Sequence, residues 1–355
     1  MELQDQFRDL ITEKLRAIAE QAVELQYQAD PEYWKRFGDE GRRLSVRDVE
    51  YHLPFLVEAV VSDDTDVFKS YISWVKQLFR GLNFSDRVML QTLDCMGSAM
   101  HSLLPPEYSP LFKPVLEAGK RQMEVEVGEP ESFIDESTPM GQLAAKYTAF
   151  LISGNRREAS RLVMNAVESG IPIKEIYLDL FQVSQYEIGR LWLMNKISVA
   201  TEHFCSAATQ TIMSQLYPYV FDTPRTGHKM VGACIGGELH EIGMRMVSDF
   251  FEMEGWDTWY LGANTPSTSI VRTVEERGAD LVGLSVSMPY HRPLLRETID
   301  TLRNNNTTSS VVVLVGGNAF NQSNNNSWKQ YGADGYAPNA QTAVTLATRI
   351  RDTKH

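Results

Sequence analysis

Residues 236–246, GGELHEIGMRM, set a histidine two positions after one glutamate and three before a glycine. A neutral imidazole is the commonest side-chain metal ligand. Glu238 is placed to accept the other ring N–H of His240, which would fix the tautomer and make the imidazole a stronger donor. The start of the helix that follows puts a positive dipole end near the ring and disfavours its protonated form. Gly243 removes a side chain one helical turn later, leaving room for something flat and wide. Further along, Gly316 and Gly317 would let a long group pass close to the backbone, and Ser285 and Ser287 offer hydroxyls. Taken singly, these features are weak, since most loop histidines are surface residues and most Gly-Gly pairs are turns. Their joint spacing carries the argument.

The elements that must hold these residues begin at Lys229. KMVGACI, DTWYL, DLVGLSV and SVVVLV are short β-branched apolar runs, with a further short strand expected at DGYA. Helical stretches alternate with them over 240–254, 266–278, 292–304 and 340–351. This alternation predicts a parallel sheet covered by helices on both faces, a flavodoxin-like doubly wound domain over 229–355. Ligands bind such sheets at the carboxyl ends of the strands, where GGELHEIG, SVSMP and GGNAF lie. The first turn lacks GxGxxG, there is no P-loop, and the third strand ends in serines where a receiver domain needs an aspartate.

Upstream the period is helical. Four helices near 141–153, 156–168, 173–195 and 198–216 form a small four-helix bundle spanning 141–222. Residues 126–140, acidic with Gly, Pro and Ser, read as a linker. Residues 1–125 read as an all-helical domain, with Ser85 as a helix N-cap. RNNNTTSS and NQSNNNS read as surface loops.

Composition sets the outer limits. With 355 residues, 43% of them hydrophobic, the chain holds two or three domains with sizeable cores. A net charge of −12 without any basic run argues against direct nucleic-acid binding. Three dispersed cysteines, Cys95, Cys205 and Cys234, fit a reducing cytoplasm and exclude a zinc cluster or disulfide framework. The N-terminus is charged and amphipathic, unlike a signal peptide, and no apolar run is long enough to span a membrane.

The region 229–350 resembles the cobalamin-binding domains of methionine synthase, corrinoid methyl carriers and B12-dependent mutases. Their pattern is DxHxxG, about 41 residues, SxL, about 26 to 28 residues, then GG. Here Glu238-x-His240-x-x-Gly243 is followed by 41 residues, Ser285-Val286-Ser287, 28 residues and Gly316-Gly317. The resemblance implies that His240 ligates cobalt from below, displacing the cofactor's own benzimidazole, and that the nucleotide tail runs past Ser285 and Gly316. Glu238 stands where the family has Asp, and Ser287 where it has Leu.

Trp192, nine residues, then Glu202-His203 matches the W-x9-EH motif of adenosylcobalamin-dependent photoreceptors. That resemblance implies a bundle whose Trp192 and Glu202 cap an adenosyl group. Leu193 stands where the light-released repressors carry a second cobalt-ligating His, which leaves water or His203 for the upper site after photolysis. The N-terminal segment is similar to the globin-like domains of photocobilins, which hold biliverdin beside cobalamin. Tyr51, Trp74, Phe79 and Phe84 are then candidate pocket residues, and His52 and His101 candidate bilin partners. The expectation from these residues is a cytoplasmic light sensor, not an enzyme, that signals by light-dependent self-association or through a further protein. The rival expectation is a corrinoid methyl carrier serving separate methyltransferases; a third is a cobalamin-trafficking protein.

Overall fold

The computed structural model describes residues 2–320 and 327–354, so most of NQSNNNS lies outside the described residues. The chain divides into two compact units, residues 1–129 and 130–355.

The first unit is all helical. Its main helices are α1 (Glu2–Ala29), α2 (Gly38–Val61), α3 (Thr65–Gly81), α4 (Asp86–Leu103) and α5 (Ser109–Glu124). On α1 the apolar residues Phe7, Ile11, Ile18 and Ala22 recur at helical spacing and are buried against Leu53, Leu56, Met89 and Leu93. Ser85 accepts the Arg87 N–H and caps α4. His52, on α2, is buried with its Nδ1 2.6 Å from the Tyr71 hydroxyl, whereas His101 is exposed. Tyr51 is exposed and Trp74 partly so, and Phe79 packs at 5.5 Å against Phe84.

The segment expected as a linker is bonded at each end within its own unit. In the first unit the Gln77 amide donates to the Gly128 carbonyl, and just before the segment the Lys76 ammonium donates to the Val125 carbonyl. In the second unit Arg190 donates to the Pro130 carbonyl, and Glu187 accepts the Phe133 N–H.

The second unit opens with the bundle, α6 (Pro139–Ile152), α7 (Arg156–Glu168), a third helix ending as α8 (Val183–Leu193), and α9 (Val199–Gln215). The third helix departs from its expected regularity: it starts at Ile173–Glu175 and is a π-helix over Ile176–Gln182. The wider turn buries Ile176, Tyr177, Leu180 and Phe181 together.

The sheet follows. Strands β1 (Lys229–Cys234), β2 (Asp257–Tyr260), β3 (Leu281–Ser285), β4 (Val312–Gly316) and β5 (Gly335–Tyr336) are parallel in the order 2-1-3-4-5. That is the flavodoxin-like order. α10 (Ile242–Met253), α11 (Ser267–Arg277) and α12 (Arg292–Asn304) are crossovers, and α13 (Ala340–Lys354) follows β5. Alternation along the strands decides the two faces. Val231, Ala233, Val282 and Leu284 bury against α11 and α12. Met230, Leu281 and Leu314 join Met244, Phe250 and Phe251 of α10 in one core that continues into the bundle. Among the described residues no helix is long and apolar enough to cross a membrane.

Candidate functional site

Register places Cys234, Ser285 and Gly316 side by side at the carboxyl ends of β1, β3 and β4. The loop after β1 turns sharply at Gly237, whose φ is +79°. Its amide donates to the Asn264 side chain, and the Asn264 amide returns a bond to the Glu238 carbonyl. The loops after β1 and β2 therefore hold one another, and Glu238 is directed inward.

Glu238 is fully buried. One carboxylate oxygen accepts the His240 backbone N–H at 2.9 Å and lies 2.5 Å from His240 Nδ1. The other accepts the backbone N–H groups of Ser287 and Met288 at 2.6 and 3.1 Å and faces His291 Nδ1 at 3.4 Å. Burial pushes this carboxyl up, but hydrogen bonds from His240 and His291 outweigh it and hold it far below the ordinary carboxylate range. The bond to Glu238 raises the pKa of His240 despite partial burial of the ring. The helix dipole does not dominate, contrary to the expectation above: His240 precedes the first residue of α10, and the carboxylate is in direct contact.

The His240 side chain is 59% exposed, and its Nδ1 edge is committed to Glu238. This leaves Nε2 as the edge offered to a ligand. A Cβ added at Gly243 would meet nothing within 4 Å, so the space at that position is open. Glu202, on α9 of the bundle, is close enough to raise the His240 pKa by its charge. Its carboxylate accepts from Ser206 at 2.8 Å and lies 2.7 Å from His203, which is itself exposed. Trp192, near the end of α8, is half-buried.

Other expected residues have structural work of their own. A Cβ at Gly317 (φ +96°) would lie 2.3 Å from the Val286 carbonyl, and one at Gly316 3.0 Å from the Ala337 carbonyl. Close approach of the chain to itself, rather than of a ligand, already requires the Gly317 position. Ser285 is buried, and Ser287 contributes its amide to Glu238. Burial pushes the Cys234 thiol up to about 12, so it is no thiolate donor at neutral pH.

Among the described residues no cluster of three or more His, Cys, Asp or Glu could hold a metal ion. One oriented imidazole beside open space fits cobalt carried in a corrin, with Glu238 setting the tautomer.

Sequence reading missed His291 and the seam between the bundle and α10. Both were findable: His291 lies six residues after Ser285 in a strand-end loop, and Glu241, at the N-cap of α10, recurs every four residues with Arg245 and Asp249 on the helix. Gln210 donates to Glu241 and accepts from Arg245, whose guanidinium also reaches Ser214 and Tyr217. The Tyr177 hydroxyl donates to Asp249 at 2.8 Å. A shallow cavity of about 540 Å³ lined by Lys229, Asp257, Trp259 and Arg277 sits at the opposite, amino end of the strands and shares none of the residues around His240.

Two family models described as "B12 binding domain" match residues 143–217 and 228–345, and one described as "Phycobilisome protein" matches residues 6–123. Dimethylamine corrinoid protein 3 of Methanosarcina mazei is 28% identical over 167 residues, 47% of this chain and 95% of the relative. The HTH-type transcriptional repressor CarA of Myxococcus xanthus is 30% identical over 90 residues, 25% of this chain and 31% of the repressor. Among solved structures, the monomethylamine corrinoid protein of Methanosarcina barkeri aligns with a TM-score of 0.52 at 20% identity, covering 59% of this chain and 98% of that one. That alignment speaks to the fold. The bundle and the sheet domain thus carry a cobalamin-binding module with corrinoid-protein relatives.

These findings overturn the light-sensor expectation. Dimethylamine corrinoid protein 3 is matched along 95% of its length, whereas the repressor match covers 31% of the repressor. The structure supplies a physical reason: Glu202 is held within its own helix by Ser206 and His203, an arrangement that needs no adenosyl group to explain it.

Proposed function

We propose that this chain is a corrinoid methyl carrier, a shuttle that presents cobalt to separate methyltransferases and is not itself the enzyme. The observation that supports it is the oriented His240 imidazole, backed by the buried Glu238 and beside the open space at Gly243. The names of the corrinoid relatives suggest small methylated amines as the methyl source. When bound, cobalamin supplies a cobalt centre able to take up and give away a methyl group. His240 would hold that centre from below, and Glu238 would keep Nδ1 protonated and Nε2 free. Ser285 and Gly316, in register at the strand ends, would line the path of the nucleotide tail. The polar face carrying Glu202 and His203 would leave the upper side accessible to donor and acceptor.

The test is to load the full chain with cobalamin and supply a methylamine, a thiol acceptor and corrinoid-dependent methyltransferases. Methylated thiol should form in proportion to the loaded protein, and His240→Ala should abolish the histidine signature in the Co(II) paramagnetic resonance spectrum. Absence of methyl transfer by a fully loaded wild type would remove the carrier reading.

Two finer readings belong to the same proposal. An adenosyl resting ligand would lie against Trp192 and Glu202. A bilin is a second candidate ligand, for the N-terminal unit, supported by the match of residues 6–123 to the phycobilisome model. Titrating the protein with adenosylcobalamin and with biliverdin, each followed by absorption, tests both; unchanged ligand spectra would remove them.

A further inference from the structure

Glu241 stands directly after His240, at the N-cap of α10. A polar side chain there ordinarily turns onto the first free N–H groups of its own helix. Glu241 makes no such bond. Its carboxylate reaches sideways instead. One oxygen accepts the Gln210 amide at 2.9 Å, from α9 of the bundle. The other accepts the Tyr260 hydroxyl at 2.9 Å, from β2, and the Ala263 N–H at 3.1 Å, from the loop that follows.

Both sides of this contact are held in place. The loop after β2 stays bonded to β1: the Cys234 N–H donates to the Gly262 carbonyl and the Thr265 N–H to the Cys234 carbonyl, each at 3.0 Å. The Ala263 amide is fixed between them. Gly262 has a φ of +82°, and a Cβ there would lie 3.3 Å from the Glu241 carboxylate. On the bundle side, Glu202, Ser206, Gln210 and Ser214 recur every four residues along α9. The Gln210 amide is committed at both ends, since its oxygen accepts from Arg245, one turn further along α10.

We propose that Glu241 is a positioning residue that fastens the ligand loop to α9, so that a bundle side chain, Gln210, helps hold His240 on cobalt. This deepens the carrier reading and rests on the corrinoid site it assumes. Glu238 sets the tautomer of the imidazole, whereas Glu241 sets where the loop carrying it ends. The other end of that loop opens on Gly236 and Gly237, which bring no side chain to pack. Residues 240 and 241 share a peptide plane, so a shift at Glu241 displaces the ring from the line on which Nε2 must point.

The experiment exchanges the two side chains. Gln210→Glu sets two carboxylates against each other, and Glu241→Gln sets two amide donors against each other. The double variant restores a donor–acceptor pair, with an amide at 241 facing a carboxylate at 210 that still accepts from Arg245. Two quantities are read on the full chain. Without cobalamin, amide hydrogen exchange is followed at His240 and Ala263, with Val313, Leu314 and Val315 of β4 as reference. With cobalamin, the fraction of Co(II) that shows an axial-nitrogen splitting is measured. Each single variant should quicken exchange at His240 and Ala263 by about fivefold, the ratio for one hydrogen bond of ordinary net strength. It should leave β4 unchanged and lower the nitrogen-split fraction. The double variant should return both readings to near wild type, as expected for a coupled pair. If a single variant does not fold, the double variant still decides. Single variants that match wild type, exchange quickened equally in β4, or a double variant that does not recover overturns the proposal and leaves the corrinoid site standing. A wild type that takes up no cobalamin, or shows no axial nitrogen, overturns the carrier reading and the ligand role together.

Discussion

At the scale of single residues, the site depends on a buried charge whose partners come from two separate loops, after β1 and after β3. Glu238 has no exposed surface, and its donors lie at His240, at Ser287 and Met288, and at His291. Glu238→Ala leaves these donors without their acceptor, and each buried orphan costs about 1–3 kcal/mol. The variant is expected to lower the stability of the second unit by at least that amount in chemical denaturation. It should also weaken cobalamin binding by about 10- to 100-fold, as loss of a metal ligand's supporting partner commonly does. Titration followed by absorption checks the second figure. Gly317 makes a separate case. Its left-handed φ and the Val286 carbonyl both oppose a side chain. Gly317→Ala should cost about 1–3 kcal/mol from backbone strain alone, measurable as a lowered denaturation midpoint at unchanged slope.

At the scale of elements, α10 lies between the bundle and the sheet. Its apolar face, with Phe250 and Phe251, joins the shared core, while Glu241, Arg245 and Asp249 make a polar seam. Burial pushes the Asp249 carboxyl up to about 6, against the lowering effect of the Tyr177 hydroxyl. A carboxyl whose folded pKa is raised binds more protons in the native state than in the unfolded one. Its stabilising contribution is complete below the unfolded value near 3.8 and is lost as pH rises through about 6. Asp249→Asn, which keeps an acceptor for Tyr177, should therefore flatten the pH dependence between pH 4 and 6.5. It should also raise stability at pH 7 by up to about 3 kcal/mol. Denaturant curves for both proteins across that range decide it; parallel curves would contradict the buried-carboxyl account.

At the scale of the whole molecule, the chain carries two units with different chemistry. In the N-terminal unit, burial lowers the pKa of His52 to about 4, so it stays neutral beside Tyr71. The unfolded chain takes up a proton near 6.5 that the native unit refuses. Stability is thus present above 6.5 and falls as pH drops toward 4, by up to about 3 kcal/mol. His52→Gln should blunt that acid sensitivity, read as melting temperature at pH 7 and pH 4.5 in both proteins. Cobalamin should act on the other unit. At a free concentration of 100 times its Kd, it is expected to add about 2.7 kcal/mol. Hydrogen exchange should report that protection in the strands around Ser285 and spare the helices around His52.

The sequence alone determined the doubly wound sheet, the bundle and the cobalamin motif. Each rests on local period or on fixed spacing, which survive without knowledge of the partners: β-branched runs at Lys229, Leu281 and Val312 can only alternate faces. The pairing of Glu238 with His240 was also legible, because two residues separate by one turn of loop. The convergence of Ser287, Met288 and His291 on the same carboxylate was not. Those residues lie 49 to 53 positions away, and only the β1–β3 register brings them to Glu238. The upper face shows the same limit. W-x9-EH is a spacing, and a spacing does not reveal that Glu202 is already held by Ser206 and His203. Hydrogen-bond partners compete for a carboxylate in three dimensions, and the tertiary structure decides which of them it meets.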